Sequence, residues 1–379
     1  MSLSITALIL GLLASPPDVE VVEVPVGGVQ PQAVVDSEGV IHLVFLRGAP
    51  EASDVYYASR KPGEARFSTP IRVNSEPGTA LAIGTVRGAR IALGQGGRVH
   101  VLWNGTMKAT PVNPLKGSPL LYSRSDEKRL RFEPQRNLMT RTFGLDGGAS
   151  IAADRQGRVH ASWHGQAKGS TGEANRQMWV ARSKDDGQTF SPEESASTTP
   201  TGACGCCGSG SLVDSKGTVY LLYRAATDGI ERGMTLLTSR DGGEHFDTSS
   251  LDSWRFNACP MSTTTLVEGS RGVLAAWETK GQVSFTRIDR ESGERSPVIS
   301  PRGGSESRKH PTIAVNHRGE VLVAWTEGTA WQKGGSLAWQ VFDPTGQPIG
   351  PVGRLEKGVP VWGLATVVAR PDGGFTIIR

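Results

Sequence analysis

Alternating apolar and polar residues recur along this chain, and each run is interrupted by a short turn that ends in glycine. One copy reads IAADRQGRVHASW (151–163) and the next reads SLVDSKGTVYLLY (211–223). An apolar strand, a glycine turn and a second strand together predict a β-hairpin. The turn glycines of the six full copies are Gly39, Gly97, Gly157, Gly217, Gly272 and Gly319.

The second strand of each copy ends on an aromatic residue. These aromatics are Phe45, Trp103, Trp163, Tyr223, Trp277 and Trp325. The steps from glycine to glycine run from 47 to 60 residues, which leaves room for two further strands per copy. Four short strands repeated in this way are typical of the blades of a β-propeller. A β-sandwich fits less well, because a sandwich does not repeat one hairpin.

A partial seventh copy, at 364–378, supplies only two strands at the end of the chain. The apolar segment 19–26 near the start has no partner of its own. Pairing these two ends would remove two exposed sheet edges. We therefore predict one all-β propeller with seven blades, closed by its N- and C-terminal strands, with six blades as the alternative.

Residues 5–14 form an apolar run that is too short to span a bilayer but suits the core of a signal peptide. No Lys or Arg precedes it, so an apolar N-terminus without a targeting role is the alternative. We predict a signal peptide at 1–15, a single propeller domain at 16–379, and a secreted or periplasmic location. No later segment predicts a transmembrane helix, and we expect a monomer.

Composition adds little beyond this. The 48 glycines and 23 prolines indicate many turns, and 37% hydrophobic residues indicate a globular chain. A net charge of +4, without a basic run, argues against nucleic acid as a partner.

Two outer hairpins carry the pattern S-x-D-x-G-x-x-F, at 183–190 and 239–246. In such a turn Asp accepts hydrogen bonds from backbone amides, Gly adopts a positive φ, and the aromatic residue anchors the turn to the blade. The pattern resembles the Asp box of the sialidase-like (BNR-repeat) propellers. That resemblance implies the propeller fold and a function directed at glycans.

The chain departs from the catalytic sialidases in lacking an Arg-Ile-Pro motif. Tyr223 is next to an arginine, but it occupies the repeat aromatic position, where packing explains it. No catalytic residue of the family therefore carries over, and fold likeness does not transfer activity. Whether the protein is an enzyme stays open; if it is one, the resemblance implies a glycosidase of exo-sialidase type.

The repeat also predicts which residues meet at the axial mouth of the propeller. First strands begin there and second strands end there, so the flanking residues should converge. The polar and aromatic residues at these positions are Arg47, Arg87, Asn104, Asp146, His164, Arg224, Glu278, Glu327, His310 and Trp362. Three other histidines, His42, His100 and His160, share one repeat position, which indicates a packing role.

All four cysteines fall at the predicted mouth, in two adjacent blades. They are Cys204, Cys206, Cys207 and Cys259, and Met261 lies beside the last. Disulfides are one interpretation, since exported chains usually pair their cysteines. A soft-metal site is another, because thiolate, thioether and imidazole ligands favour Cu(I), with Zn(II) as the alternative ion. A reactive thiol, with its pKa lowered by Arg224 or Lys309, is the third.

Three functions follow as hypotheses. The first is a glycan hydrolase or binder, with Glu278 and Asp146 as catalytic acids. Its ligand, a glycan or another small anion, would be held by Arg47, Arg87, Arg224, Asn104, Glu327 and Trp362. The second is a copper-type or zinc metalloprotein whose ligands are drawn from Cys204, Cys206, Cys207, Cys259, Met261, His164 and His310. The third is a non-catalytic interaction scaffold.

Overall fold

The computed structural model describes residues 16–197, 199–304 and 307–379, so the predicted signal peptide lies outside the described residues. Seven β-sheets succeed one another along the chain, which confirms the seven-bladed propeller. Blade 1 contains β2 (Val29–Val35), β3 (Ile41–Ala49), β4 (Ala52–Arg60) and β5 (Ile71–Arg72). Blade 2 contains β6 (Arg90–Leu93), β7 (Val99–Asn104), β8 (Leu120–Arg124) and β9 (Arg136–Asn137).

The next three blades follow the same antiparallel order, with local departures. Blade 3 contains β10 (Thr142–Phe143), β11 (Ser150–Ala153), β12 (Val159–Ala167), β13 (Gln177–Ser183) and β14 (Glu194–Ser195), with β10 paired to the end of β12. Blade 4 contains β15 (Gly210–Val213), β16 (Val219–Arg224), β17 (Met234–Ser239) and β18 (Asp247–Ser250). Blade 5 contains β19 (Thr265–Gly269), β20 (Gly272–Thr279) and β21 (Gln282–Ile288), with isolated bridges in place of a fourth strand.

The last two blades complete the ring. Blade 6 contains β22 (Arg308–Val315), β23 (Val321–Glu327), β24 (Gly335–Phe342) and β25 (Pro348–Val359). Blade 7 contains β26 (Thr366–Ala369), β27 (Phe375–Ile378) and, from the other end of the chain, β1 (Val19–Val22). Single-turn 3₁₀ helices occur at Pro25–Gly27, Gln95–Gly97 and Glu173–Asn175.

The two termini close the ring as predicted. β1 pairs with β27 in parallel, with Val19 opposite Phe375. The strand ends at Val22, earlier than the sequence pattern suggested, and the chain turns into a 3₁₀ helix at Pro25, which has no N–H for a ladder. Arg60 of blade 1 donates to both carboxylate oxygens of Glu20, at 3.0 and 2.8 Å, and so ties the closing strand to its neighbour.

The predicted turn glycines adopt the left-handed conformation that the turns require. Gly39, Gly157 and Gly217 have φ of 79°, 84° and 85°. Three residues before each of them an Asp side chain accepts two backbone N–H groups, as Asp214 does from Lys216 and Thr218. The hairpin is therefore specified locally, which is why it repeats.

The core is divided into seven apolar clusters, one at each interface between neighbouring blades. The repeat aromatics belong to these clusters: Trp103, Trp163 and Trp325 are fully buried. Tyr223 is 2% exposed in the cluster between blades 3 and 4, which confirms its packing role.

Both Asp boxes form the expected turn. Asp185 Oδ1 accepts the Thr189 N–H at 2.9 Å, and Asp241 Oδ1 accepts the His245 N–H at 3.0 Å. Phe190 packs edge-on against Tyr122, and Phe246 is buried. Within the part of the chain that the structure describes, no helix is long and apolar enough to cross a membrane.

The first strands of all seven blades line an axial cavity of about 440 Å³. At one end of this cavity the segments that enter successive blades contact one another. The Gly208 N–H donates to Ser262 O at 3.0 Å, and the Ser209 N–H donates to Gly148 O at 3.2 Å. This end is the mouth predicted from the repeat.

Candidate functional site

A tight turn at the entry to blade 4 brings three cysteines together. The Cys207 N–H donates to Cys204 O at 3.4 Å, so the chain reverses within four residues. Gly205, inside the turn, donates its N–H to Glu173 Oε1 at 2.6 Å. A Cβ at Gly205 would lie 3.2 Å from that same oxygen, so the close approach favours glycine.

The sulfur atoms of Cys204, Cys206 and Cys207 all lie within 4.8 Å of one another. Cys204 Sγ is 3.0 Å from Cys207 Sγ and 3.5 Å from Cys206 Sγ, both well beyond the disulfide bond length of about 2.05 Å. All four cysteines are free thiols in this structure. Cys204 and Cys207 are buried, and Cys206 is half-buried.

The pKa values of the three thiols shift in different directions. Burial opposes ionisation of Cys207, but hydrogen bonds from Cys204 and Cys206 and the nearby Arg224 hold its pKa well below the usual value. Hydrogen bonds to Cys204 and Cys207, together with burial, raise the pKa of Cys206. For Cys204, a bond from Cys206 lowers the pKa, but Cys207 and burial outweigh it, so the net direction is upward. Cys207 therefore ionises most readily of the three, and Cys204 and Cys206 ionise less readily than an ordinary thiol.

Charged side chains from neighbouring hairpin loops surround the turn. Glu173, in the 3₁₀ helix of blade 3, pairs with Arg232 of blade 4 at 2.7 Å. Burial lowers the pKa of Arg232, but the bond to Glu173 and the charges of Cys204 and Cys206 raise it above the ordinary value. Arg176 donates to Gly144 O and lies against Gly205.

The sequence pattern did not predict Glu173, Arg176 or Arg232 as site residues. They lie in the loops between second and third strands, whose lengths differ from blade to blade. Their position in the repeat could have indicated them, since these loops lie at the same end of the blades as the entry segments.

The predicted histidines of the mouth are both buried and neutral. Burial, with Arg176 nearby, lowers the pKa of His164 to about 4. Burial and Lys309 lower the pKa of His310 to about 3, and the negative charge of Cys207 acts on both rings in the opposite direction. His164 Nε2 has no hydrogen-bond partner among the described residues, and it faces Gly147, whose other neighbour is Cys207 O.

Two further predicted ligands do not join the sulfur cluster. Cys259 is exposed, and it lies outside the group of three sulfurs. Met261 is half-buried with φ of 50°, in the segment that enters blade 5. The described structure thus brings together three of the seven proposed ligands and leaves His164 and His310 beside them.

The two carboxylates predicted as catalytic acids both face arginines. Glu278 is 1% exposed, with Oε1 accepting the Gly281 N–H at 2.7 Å and Oε2 3.6 Å from Arg224. Burial raises the pKa of Glu278 despite Arg224. Asp146 is half-exposed and accepts Arg87 Nη2 at 2.5 Å.

The remaining predicted ligand-binding residues do not share one group of contacts. Asn104 is buried and donates to Gly147 O at 2.8 Å, and Arg47 is exposed. Glu327 pairs with Arg308 at 3.2 Å and with Arg354. Trp362 packs edge-on against Trp331, a residue that the repeat did not predict, with ring centroids 4.8 Å apart.

The three histidines at the shared repeat position behave as packing residues. His42 Nδ1 lies 2.7 Å from Tyr57 Oη, and its Nε2 lies 3.0 Å from Asp36. His100 makes the same two contacts, with Tyr122 and Asp186. His160 is equally buried, but neither of its ring nitrogens has a hydrogen-bond partner among the described residues, so packing alone holds it.

Comparison of the structure with solved structures gives the family likeness. The NanB sialidase from Streptococcus pneumoniae, in complex with 2-[(3-chlorobenzyl)ammonio]ethanesulfonate, superposes with a TM-score of 0.53 at 10% sequence identity. The match covers 79% of this chain and 65% of the NanB chain, so this chain spans about two thirds of that protein. The fold is that of the sialidase-like β-propellers.

Other matches are more distant. A sialidase from Trypanosoma rangeli, in complex with the inhibitor DANA, gives a TM-score of 0.49 at 8% identity over 80% of this chain and 53% of its own. The polysaccharide lyase Uly1 gives 0.47 at 10% identity, over 84% of this chain and 78% of its own. No protein-family model and no curated protein sequence matches this chain.

This sialidase-like propeller therefore has a cluster of three cysteines, Cys204, Cys206 and Cys207, at its mouth. Three converging sulfurs lie among arginines and two buried histidines whose pKa values are lowered. Such a group can bind a soft cation, because thiolates are soft ligands and the surrounding arginines offset their negative charge.

Proposed function

We propose that this protein is an exported metal-binding propeller that holds one copper(I) ion on Cys204, Cys206 and Cys207. The observation that carries the proposal is the convergence of these three sulfurs within 4.8 Å in one shielded turn. Export rests on the apolar run at 5–14, which suits a signal peptide.

The sulfur spacing supports a shared ion with a small adjustment. Metal–sulfur bonds of about 2.3 Å place neighbouring sulfurs roughly 3.8–4.0 Å apart. The Cys204–Cys206 distance of 3.5 Å is close to that value, and the Cys204–Cys207 distance of 3.0 Å must open. Cys206 is half-buried, so its sulfur has room for the smaller change from 3.5 Å.

The charges around the turn support thiolate ligands. Metal binding displaces the S–H protons of the cluster, because only thiolates coordinate the metal. Arg224 favours ionised Cys207, and Arg232, which pairs with Glu173, adds a second positive charge near Cys204 and Cys206. Thiolates select copper(I) over harder ions, with zinc as the competing ion.

The test is anaerobic titration of the reduced full chain with copper(I) against a chromophoric copper(I) chelator. We expect one ion per chain, retained in Cys259→Ser and lost in Cys207→Ser and Cys204→Ser. Cys259→Ser is the matched control, because it removes an exposed thiol outside the cluster. Failure of the wild type to compete with the chelator, or an equal loss in Cys259→Ser, contradicts the proposal.

A second candidate function is glycan binding at the same mouth. Trp331 is 53% exposed, packs against Trp362, and lies beside Gly84 and the Arg87–Asp146 pair. An exposed aromatic face beside a few polar groups is a common way to hold a small ligand. The sialidase-like fold supports this candidate, since NanB is a sialidase.

This candidate is tested by tryptophan fluorescence during titration with sialyllactose and with sulfated oligosaccharides. Trp331→Ala should abolish a saturable response, whereas Leu130→Ala, which also removes an exposed apolar side chain, should keep it. Hydrolysis of fluorogenic glycosides, with Glu278→Gln and Asp146→Asn as variants, tests catalysis. No saturable response in the wild type excludes a mouth specific for these sugars.

A further inference from the structure

Arg90 lies on the first strand of blade 2 and lines the axial cavity. Its side chain reaches toward the entry of blade 4, where Nη2 would stand 3.2 Å from a Cβ at Gly208. Arg90 is half-buried, and its Nε atom is fully enclosed. The guanidinium is therefore held inside the ring.

No carboxylate compensates this charge among the residues that the structure describes. Neither an ion pair nor a hydrogen bond involves the Arg90 side chain there, and Nε lacks any acceptor. The other arginines that line the mouth have partners: Arg87 has Asp146, Arg224 has Glu278, and Arg232 has Glu173. Burial alone acts on the pKa of Arg90 and lowers it to about 10, so the group stays cationic at pH 7.

Hydroxyl groups lie at the same level of the cavity. Ser150 holds the register position in blade 3 that Arg90 holds in blade 2, since each pairs with the residue that precedes the repeat tryptophan. Ser150 Oγ lies 3.3 Å from Ser209 Oγ, and Ser209 directly follows Gly208. Ser209 Oγ donates to Gly148 O at 3.0 Å, whereas Ser150 Oγ, 2.9 Å from Ser162 Oγ, can accept from that hydroxyl and keep its own O–H for a ligand.

An isolated buried cation is costly, and an anion at hydrogen-bond distance removes most of that cost. We propose that the axial cavity binds a small inorganic anion, a halide or a tetrahedral oxyanion, on Arg90 with a hydroxyl donor from Ser150. The ion is small because the entry segments pack together above it: Gly208 bonds to Ser262 and Ser209 bonds to Gly148. The site is separate from the three cysteines and does not depend on metal binding there.

Thermal unfolding of the full chain in a halide-free buffer tests the proposal, with bromide or sulfate added at constant ionic strength against gluconate. We expect a saturable rise in Tm of roughly 2–5 °C with one of the two ions. Arg90→Gln should lose this rise, while Arg66→Gln, which removes an exposed arginine, should keep it. The ion that acts identifies a halide or an oxyanion as the ligand class.

Anomalous diffraction from wild-type crystals grown in bromide or selenate gives a second measurement that does not require a folded variant. A peak beside Arg90 in the axial cavity supports the proposal. Cavity density that refines as water alone overturns it, as does a Tm rise of equal size in Arg90→Gln. A change in thiolate absorbance in Arg90→Gln without any anion response overturns it as well, because Arg90 would then serve the cysteines.

Discussion

Arg224 and Glu278 face each other in the interior between blades 4 and 5, with Nη2 3.6 Å from Oε2 and both side chains almost fully buried. Arg224 also donates to Arg232 O at 2.7 Å and lies over the ring of Trp254. The same arginine favours the Cys207 thiolate. The buried Arg224 guanidinium thus favours the ionised forms of both Glu278 and Cys207.

We expect Arg224→Met to lower the free energy of unfolding by about 3–5 kcal/mol, because it leaves the Glu278 carboxylate buried without a counter-charge. Glu278→Gln should cost less, since Arg224 keeps its carbonyl acceptors and Cys207. Denaturant unfolding at pH 7 measures both. Arg240→Met, at an exposed pair with Asp247, should change stability by less than about 0.5 kcal/mol. Equal losses in Arg224→Met and Glu278→Gln would contradict this account.

Thiol reactivity should separate Cys259 from the other cysteines. In the native, metal-free protein we expect one thiol per chain to react rapidly with Ellman's reagent, because Cys259 is exposed whereas Cys204 and Cys207 are buried. Cys206 should react slowly, since its raised pKa leaves little thiolate. Unfolding should expose all four, and Cys259→Ser should remove the fast phase. Two or more fast thiols in the native protein would disprove the arrangement.

Stability should fall in mild acid, and His160 should contribute to the loss. Burial lowers the pKa of His160 to about 4, whereas an unfolded histidine titrates near 6.5. Between these values the unfolded chain binds the extra proton, so stability is fully present above about pH 6.5 and is lost toward pH 4. His160→Gln should reduce the difference in unfolding free energy between pH 7 and pH 5 by about 2 kcal/mol. An unchanged difference would show that His160 is protonated in the folded state.

Gly187, in the first Asp box, should not tolerate a side chain. Its φ is 74°, and an added Cβ would lie 1.9 Å from Tyr122 Oη, which bonds to His100. We expect Gly187→Ala to cost about 3 kcal/mol or more, from the left-handed backbone and the displaced tyrosine. Gly169→Ala is the matched control: its φ is 85° with open space around it, so only the backbone cost of about 1–2 kcal/mol applies. Similar losses in both variants would argue against the contact with Tyr122.

The sequence pattern predicted the blades, their number and the closure of the ring, because each depends on short-range rules. In three of the turns the capping Asp lies three residues before the glycine, as Asp214 does before Gly217, and strand alternation is equally local. Cys204, Cys206 and Cys207 were predicted together for the same reason, since they share one turn. Cys259 was grouped with them by its repeat position alone, and that position does not determine where a side chain points.

The sequence pattern did not predict which side chains surround the cysteines, because contacts between blades bring them there. Glu173 and Arg232 come from loops of different length in blades 3 and 4, and their pairing requires the ring to close. The pairing of Arg87 with Asp146 likewise joins residues 59 apart in the chain. Periodicity carries no information about such pairs, because it describes the backbone of one blade at a time.

The sequence by itself determined the repeating hairpin, the Asp-box turns and the clustering of cysteines at one end of the axis. These follow from backbone geometry and residue spacing within a few residues. Only the tertiary structure decided which charges meet there, that Arg224 lowers the pKa of Cys207, and that Arg90 lines the cavity without a carboxylate partner in the described chain. The reason is physical: burial and electrostatic pairing arise when all seven blades surround one axis, and no single blade contains that information.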